Sequence, residues 1–186
     1  MNKIIGICGF ARSGKDSFAN FLHSCFPQTI KKASLAYELK KDLDSFLISK
    51  IGISAFTEEP EQKEIIRPLL ISWGTDVIRN NFSKTYWIEK IDKKVVENFN
   101  SGFITVIPDV RFKNEIEWVK QNGISIYIQR QGCFPVGAIE NETAELKNMA
   151  NYVFEWSKMK DFERSGLKMV KDFSDQNLLW LKNKVI

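Results

Sequence analysis

Gly9-Phe10-Ala11-Arg12-Ser13-Gly14-Lys15-Asp16-Ser17 is the stretch on which the fold turns. Ahead of it runs Lys3-Ile4-Ile5-Gly6-Ile7-Cys8, an apolar run that predicts a buried strand. Behind it Phe18, Phe21, Leu22 and Cys25 recur at helical spacing. Strand, glycine-bounded turn and helix are the setting that a phosphate-binding loop requires. In such a turn successive backbone N–H groups point inward and the helix start adds positive dipole character. The result is an anion site suited to nucleotide phosphates, with Lys15 as a point charge for the outer ones.

One position departs from the general pattern G-x-x-x-x-G-K-[ST], in which the hydroxyl after the lysine reaches Mg²⁺. Asp16 stands there, and the hydroxyl comes one residue later at Ser17. Either Asp16 holds the metal through water, or Ser17 takes over with a small shift of the loop.

Further out, the 186 residues predict one domain with a real core, and 44% apolar with 27% charged residues excludes a disordered chain. The net charge of +4 is scattered as Lys31-Lys32, Lys40-Lys41 and Lys93-Lys94 among acids, so no nucleic-acid stripe forms. Cys8, Cys25 and Cys133 lack metal-ligand spacing and suit a reducing cytosol. With no apolar run of membrane-spanning length and no signal-peptide pattern at the start, the expectation is a soluble cytoplasmic protein.

Along the chain, Thr29–Ala33 reads as a weaker strand, and Ser34 as the cap of a helix carrying Leu35, Leu39, Leu43, Phe46 and Leu47. A longer helix is expected over 61–82, kinked at Pro68 or starting near Arg67, and Ser83 as the cap of the next. Phe103–Ile107 is continuous and β-branched, the pattern of a buried parallel strand. After it a helix closes at Asn122-Gly123, read as a left-handed cap, and Ile124–Ile128 forms another strand ending at Arg130. Residues 131–166 carry no clear period and read as a lid or mobile insertion, outside a core of about 1–130 and 167–186. Leu167–Val170 is taken as a last strand, and Leu178, Leu179, Leu181 and Val185 as a closing helix. This alternation predicts an α/β fold with a parallel sheet and helices on both faces. Ligands of such sheets sit at the carboxyl ends of the strands, where Gly9, Asp109 and Arg130 fall.

A bound nucleoside triphosphate needs its γ-phosphate positioned and its charge neutralised. Arg12, Arg67, Arg79, Arg111 and Arg130 lie near strand ends and loop edges, and arginine can clamp phosphate in a bidentate way. Asp109, just past a buried strand, suits Mg²⁺ or a polarised water, or caps the helix that follows. His23, the sole histidine, sits away from the loop and is read as structural. Trp73 and Trp87 are candidate stacking faces for a planar base.

The block Arg67-Pro-Leu-Leu-Ile-Ser-Trp73-Gly74-Thr75-Asp76-Val-Ile-Arg79-Asn80-Asn81-Phe82, continued by Thr85-Tyr86-Trp87, resembles the deoxynucleoside monophosphate kinases of tailed bacteriophages. The turn Asn98–Gly102, the segment Ile107-Pro-Asp109-Val-Arg111 and the Gly14-Lys15-Asp16 form of the loop match the same family in the same order. The resemblance implies a three-layer P-loop NTPase fold of the nucleoside monophosphate kinase type. It implies transfer of phosphate from ATP, with Mg²⁺, to a deoxynucleoside monophosphate, with no nucleic acid or membrane partner and with homodimer formation. Carried over residue by residue, Arg12, Ser13, Gly14, Lys15, Asp16 and Ser17 would hold ATP, with Asp16 and Ser17 at the metal. Lys15, Arg12, Asp109 and Arg130 would act in catalysis, and Arg67, Gly74, Thr75, Trp87, Asp109 and Arg111 would surround the acceptor. Ala11 stands where the long phage enzymes have lysine, and the stretch between Lys40 and Arg67 is shorter than theirs. Two other functions remain open at this point: a P-loop kinase of another phosphorylated small molecule, such as dephospho-CoA, and a regulatory module that binds nucleotide without transfer.

Overall fold

A computed structural model of the chain describes residues 2–135, 138–157 and 161–184. They fall into two compact units: the first comprises Met1–Ala33 with Lys94–Ile186, the second Ser34–Lys93.

The first unit is built on five parallel strands in the order β2-β3-β1-β4-β5. These are β1 (Ile4–Cys8), β2 (Ile30–Lys32), β3 (Ile104–Ile107), β4 (Gly123–Arg130) and β5 (Tyr152–Trp156). Parallel strands need a crossover between them, and right-handed helical crossovers leave helices on both faces. Here the crossovers and the closing segment include α1 (Lys15–Cys25), α5 (Lys113–Asn122), α6 (Ala138–Met149) and α7 (Phe162–Asn177). Alternation sorts the strand side chains between the faces. Ile5, Ile7, Ile104, Val106, Ile124, Ile126 and Ile128 join Phe18 and Leu22 of α1 and Val170 of α7 in one cluster. Phe18, Phe154, Trp156 and Phe173 meet edge-on within it, at 4.8–6.4 Å between centroids. Each such side chain taken fully out of water stabilises the fold by about 1.5–3 kcal/mol. On the opposite face α5 presses so near β1 that a Cβ on Gly6 would lie 2.7 Å from Val119.

Several expectations change. Gly123 is not a left-handed cap: its φ of 174° is extended, and it opens β4 directly. Glycine is needed there because a Cβ would fall 2.0 Å from the Ile4 carbonyl oxygen. The fifth strand is Tyr152–Trp156, inside the region expected to be an insertion, and it pairs with β4 from Ile126↔Tyr152 to Arg130↔Trp156. Leu167–Val170 belongs to α7, where Val170 is buried and Leu167 faces solvent, a helical pattern. Leu178 and Leu181 are buried, but the closing segment Leu179–Lys184 is a 3₁₀-helix. Val185 and residues 136–137 and 158–160 of the expected insertion lie outside the described residues.

The second unit is helical. α2 (Leu35–Ile51) starts at Ser34, whose hydroxyl accepts the Tyr37 N–H at 3.2 Å, and stops at left-handed Gly52. α3 (Pro60–Ile71) passes through Pro68 and continues as a π-helix over Ser72–Phe82. Proline at the first position of α3 fits the helix start, and Pro68 supplies no N–H to the preceding turn. Leu43, Leu47, Ala55 and Ile66 form the unit's core, flanked by Ile53, Phe56, Leu70 and Trp73. α4 (Tyr86–Asn100) begins three residues after Ser83, whose hydroxyl instead accepts the Thr85 N–H at 3.3 Å. Among the described residues no helix is long and apolar enough to cross a membrane.

Candidate active site

In the first unit the loop 9–14 leaves the end of β1, the central strand. Two of its residues, Gly9 and Gly14, have φ of 139° and 88°, values that glycine adopts without steric cost. Arg12, at φ 61°, adopts the same left-handed region with a side chain, at a cost of about 1–2 kcal/mol. The Phe10 carbonyl gathers the turn by accepting from the Ser13 N–H at 3.2 Å and from Lys15 Nζ at 2.5 Å. Gly14 is the N-cap of α1 and brings no side chain to occupy the first-turn amides. Asp16 lies in that first turn, exposed, where the helix dipole favours a carboxylate.

The fit of the loop to phosphate can be tested on its polar atoms. Ser13 is 1% exposed and its hydroxyl has no hydrogen-bond partner, a costly state for a buried polar group. The indole N–H of Trp156 is likewise buried and unpartnered, and lies 2.6 Å from where a Cβ on Gly14 would be. A loop held open by glycines, with an unsatisfied hydroxyl beside it, fits an anionic ligand. For Mg²⁺ the donor set is Asp16 and the half-buried Ser17, and among the described residues no group of three or more His, Cys, Asp or Glu could hold a metal. This suits a cation carried largely by phosphate oxygens and water.

β1 has β3 on one side and β4 on the other, so the loops following those strands flank the phosphate loop. Beyond β3, the Val110 N–H donates to the Ile7 carbonyl at 3.1 Å, which pins the turn bearing Asp109 and Arg111 to β1. The N-cap of α5 is Phe112. Glu115, 4% exposed, accepts the backbone N–H groups of Arg111 at 2.8 Å and Phe112 at 3.1 Å. The Arg111 carbonyl accepts from Thr143 Oγ1 of α6 at 3.3 Å, so its main chain is held on both sides while its side chain remains exposed. Beyond β4, exposed Arg130 has its guanidinium 5.8 Å from the centre of the Phe162 ring. A cavity of about 430 Å³ opens here, with Phe10, Ser13, Tyr127, Arg130, Cys133 and Lys147 among its lining residues. The Cys8 thiol, buried at the end of β1, is pushed up to about 12 by desolvation against a smaller opposing effect of Lys15, so it stays protonated.

The remaining candidates belong to the second unit. Arg67 is exposed on α3 and meets Glu64 at 3.4 Å, an exposed pair of little energetic weight. Gly74 is buried within the π-helix, where a Cβ would fall 2.2 Å from Leu39 Cδ1. Half-buried Thr75 follows it. Trp87 presents no open face for a base. It is 7% exposed, packs edge-on against Tyr86, and donates its indole N–H to the Gly74 carbonyl at 3.0 Å. Trp73 is half-buried, with its N–H unpartnered.

Glu115, Thr143, Trp156 and Phe10 were not singled out in sequence. Glu115 had a signal, since it stands three residues after the helix-opening Phe112, the spacing of a capping box. The other three had none, because their roles depend on which strands pair.

Comparison with known proteins now bears on this geometry. Residues 44–138 match the family described as deoxynucleotide monophosphate kinase. The deoxynucleotide monophosphate kinase of Enterobacteria phage T4 is 32% identical over 74 residues, an alignment covering 39% of this chain and 31% of that enzyme. The chain thus aligns with less than a third of this relative's length. Dephospho-CoA kinase from Campylobacter jejuni superposes with a TM-score of 0.56 at 16% identity, over 95% of this chain and 100% of the other. Shikimate kinase from Aquifex aeolicus gives 0.45 at 15% identity, over 95% and 98%. The first superposition shows a shared P-loop kinase fold and carries nothing about substrate. The family match covers both the Arg67–Trp87 block and the Asp109–Arg111 turn, and by it the chain belongs to the deoxynucleotide monophosphate kinase family.

Proposed function

We propose that the protein is an ATP-dependent deoxynucleoside monophosphate kinase that forms the diphosphate. The observation that carries this reading is the glycine-bounded loop at the end of β1, with Lys15 at its exit, in a chain of this family. The loop amides and Lys15 hold the β- and γ-phosphates of ATP. Lys15 exchanges its contact with the Phe10 carbonyl for the migrating phosphoryl group, whose charge it neutralises. Arg12, in the loop, and Arg130, at the cavity, add positive charge. Asp16 and Ser17 would hold Mg²⁺, which would supply positive charge to offset that of the phosphates. Asp109 and Arg111 meet the acceptor, Arg111 by gripping its phosphate in the bidentate manner of guanidinium. Arg67, Gly74 and Thr75 are assigned to the acceptor as well, with Trp87 positioning Gly74 from behind. An oxygen of the acceptor phosphate bonds to the γ-phosphorus as the bridge to ADP breaks, and ADP leaves.

A coupled assay of ADP release with ATP, Mg²⁺ and a panel of nucleoside monophosphates tests this reading. The expected result is stimulation by one or more deoxynucleotides. Folded protein that responds to none of them, or only to dephospho-CoA, refutes it.

A further inference from the structure

The turn that carries Asp109 and Arg111 is held at three points, each of them on main chain. The Val110 N–H donates to the carbonyl of Ile7, two residues before the phosphate loop opens at Gly9, at 3.1 Å. The Arg111 carbonyl accepts from Oγ1 of the buried Thr143, on α6, at 3.3 Å. The third hold is Glu115, whose Oε2 accepts the Arg111 N–H at 2.8 Å and the Phe112 N–H at 3.1 Å. A glutamate at the third position of a helix ordinarily reaches back to the N-cap amide alone. Phe112 is the N-cap of α5, so the bond to it serves the helix start. The shorter bond goes one residue further back, to Arg111, whose exposed side chain is assigned to the acceptor phosphate. Burying a carboxylate to 4% exposure is unfavourable, and charge-assisted bonds from two amides at a helix N-terminus offset that.

We propose that Glu115 is a positioning residue for the acceptor: by fixing the main chain of Arg111 it aims the guanidinium at the acceptor phosphate. The inference rests on the kinase reading and adds to it a residue outside the motifs. A planar guanidinium grips phosphate in a bidentate way only along a set direction, so the peptide that precedes Arg111 has to be held in orientation. Glu115 holds that peptide by its N–H, and Thr143 holds the next one by its carbonyl. The Val110 bond ties the same turn to β1, the strand that leads into the phosphate loop, so donor and acceptor groups share one anchor. Buried itself, Glu115 acts through Arg111.

The test is steady-state kinetics of the full chain with ATP, Mg²⁺ and a deoxynucleotide that stimulates it. Glu115→Ala should raise the acceptor KM about tenfold and leave the ATP KM within about twofold of native. Glu115→Gln, whose amide oxygen still accepts both N–H groups, should bring the acceptor KM back to within about threefold of native. Glu115→Asp keeps the charge and draws the oxygen back by one methylene. It should give the same split between acceptor and ATP at smaller size, and it decides the matter if Glu115→Ala does not fold. In an Arg111→Ala background, Glu115→Ala should add nothing further to the acceptor KM, because the two residues act as a unit. Equal rises in both KM values, a Gln variant as impaired as Ala, or effects that multiply in the double variant overturn the proposal. A native chain that no deoxynucleotide stimulates overturns the kinase reading itself, before any substitution is made.

Discussion

The phosphate loop and the π-helix Ser72–Phe82 are both irregular, and they are held irregular by opposite means. In the loop the backbone does the work: Gly9, Arg12 and Gly14 adopt positive φ, and one carbonyl, that of Phe10, gathers the turn. In the π-helix side chains do much of it. Trp87 donates to Gly74, Asn81 Nδ2 donates to the Asp76 carbonyl at 2.6 Å, and the Ser83 N–H closes on Ile78 at 2.7 Å. A wide helical turn is rare and often marks a functional place. The difference teaches that a backbone-defined feature is written in its own residues, whereas a side-chain-defined one depends on a partner several residues away.

Four variants would break or sharpen that contrast. Lys15→Ala removes the charge proposed to neutralise the migrating phosphoryl group, and turnover should fall roughly 10³-fold with circular dichroism unchanged. Retained turnover would mean the loop does not neutralise the transferred group. Gly9→Ala attacks the backbone itself. Its Cβ would lie 2.4 Å from the Ile128 carbonyl oxygen at a φ unfavourable for alanine, and urea unfolding should show a loss of about 3 kcal/mol. A neutral effect would contradict the loop geometry.

In the π-helix the corresponding change is Trp87→Phe, which keeps an aromatic ring and deletes the donor to Gly74. A loss of about 2 kcal/mol is expected, from the orphaned carbonyl and the smaller ring. The acceptor KM should rise several-fold while that for ATP stays put. Equal changes in both would make Trp87 a general core residue. The smallest effect concerns Cys8 at the foot of the loop. Its folded pKa is raised above the unfolded one by burial, so its contribution is whole below about pH 9 and is lost as pH rises toward about 12. Urea midpoints of the native chain should therefore fall more steeply above pH 9 than those of Cys8→Ser. Parallel curves would show that water reaches the strand end.

How much of this was legible in the sequence follows the same division. β1, the loop, β3 and β4 announce themselves because a strand buried on both faces is continuously apolar. β5 did not, because it is an edge strand: Val153 is 46% exposed while Phe154 and Trp156 are 5% and 4% exposed. Gly123 was misassigned because glycine serves both left-handed turns and close backbone approach, and only the partner strand tells which. The π-helix carries the apolar spacing of an ordinary helix, and the switch from i+4 to i+5 bonding leaves no mark on that spacing. Trp87 stays a candidate stacking face in sequence because its partner, Gly74, has no side chain to advertise the contact.

The strand order has a consequence for biosynthesis. β1 leaves the ribosome before both of its hydrogen-bonded neighbours, which arrive about a hundred residues later, in the pairs Ile4↔Thr105 and Ile4↔Gly123. Its apolar residues must therefore wait, exposed, through synthesis of the helical stretch 34–93, which can form local contacts as it emerges. The nucleotide pocket is thus a late product of translation, and a nascent chain stalled before Arg130 should be retained by chaperones and fail to adhere to immobilised ATP.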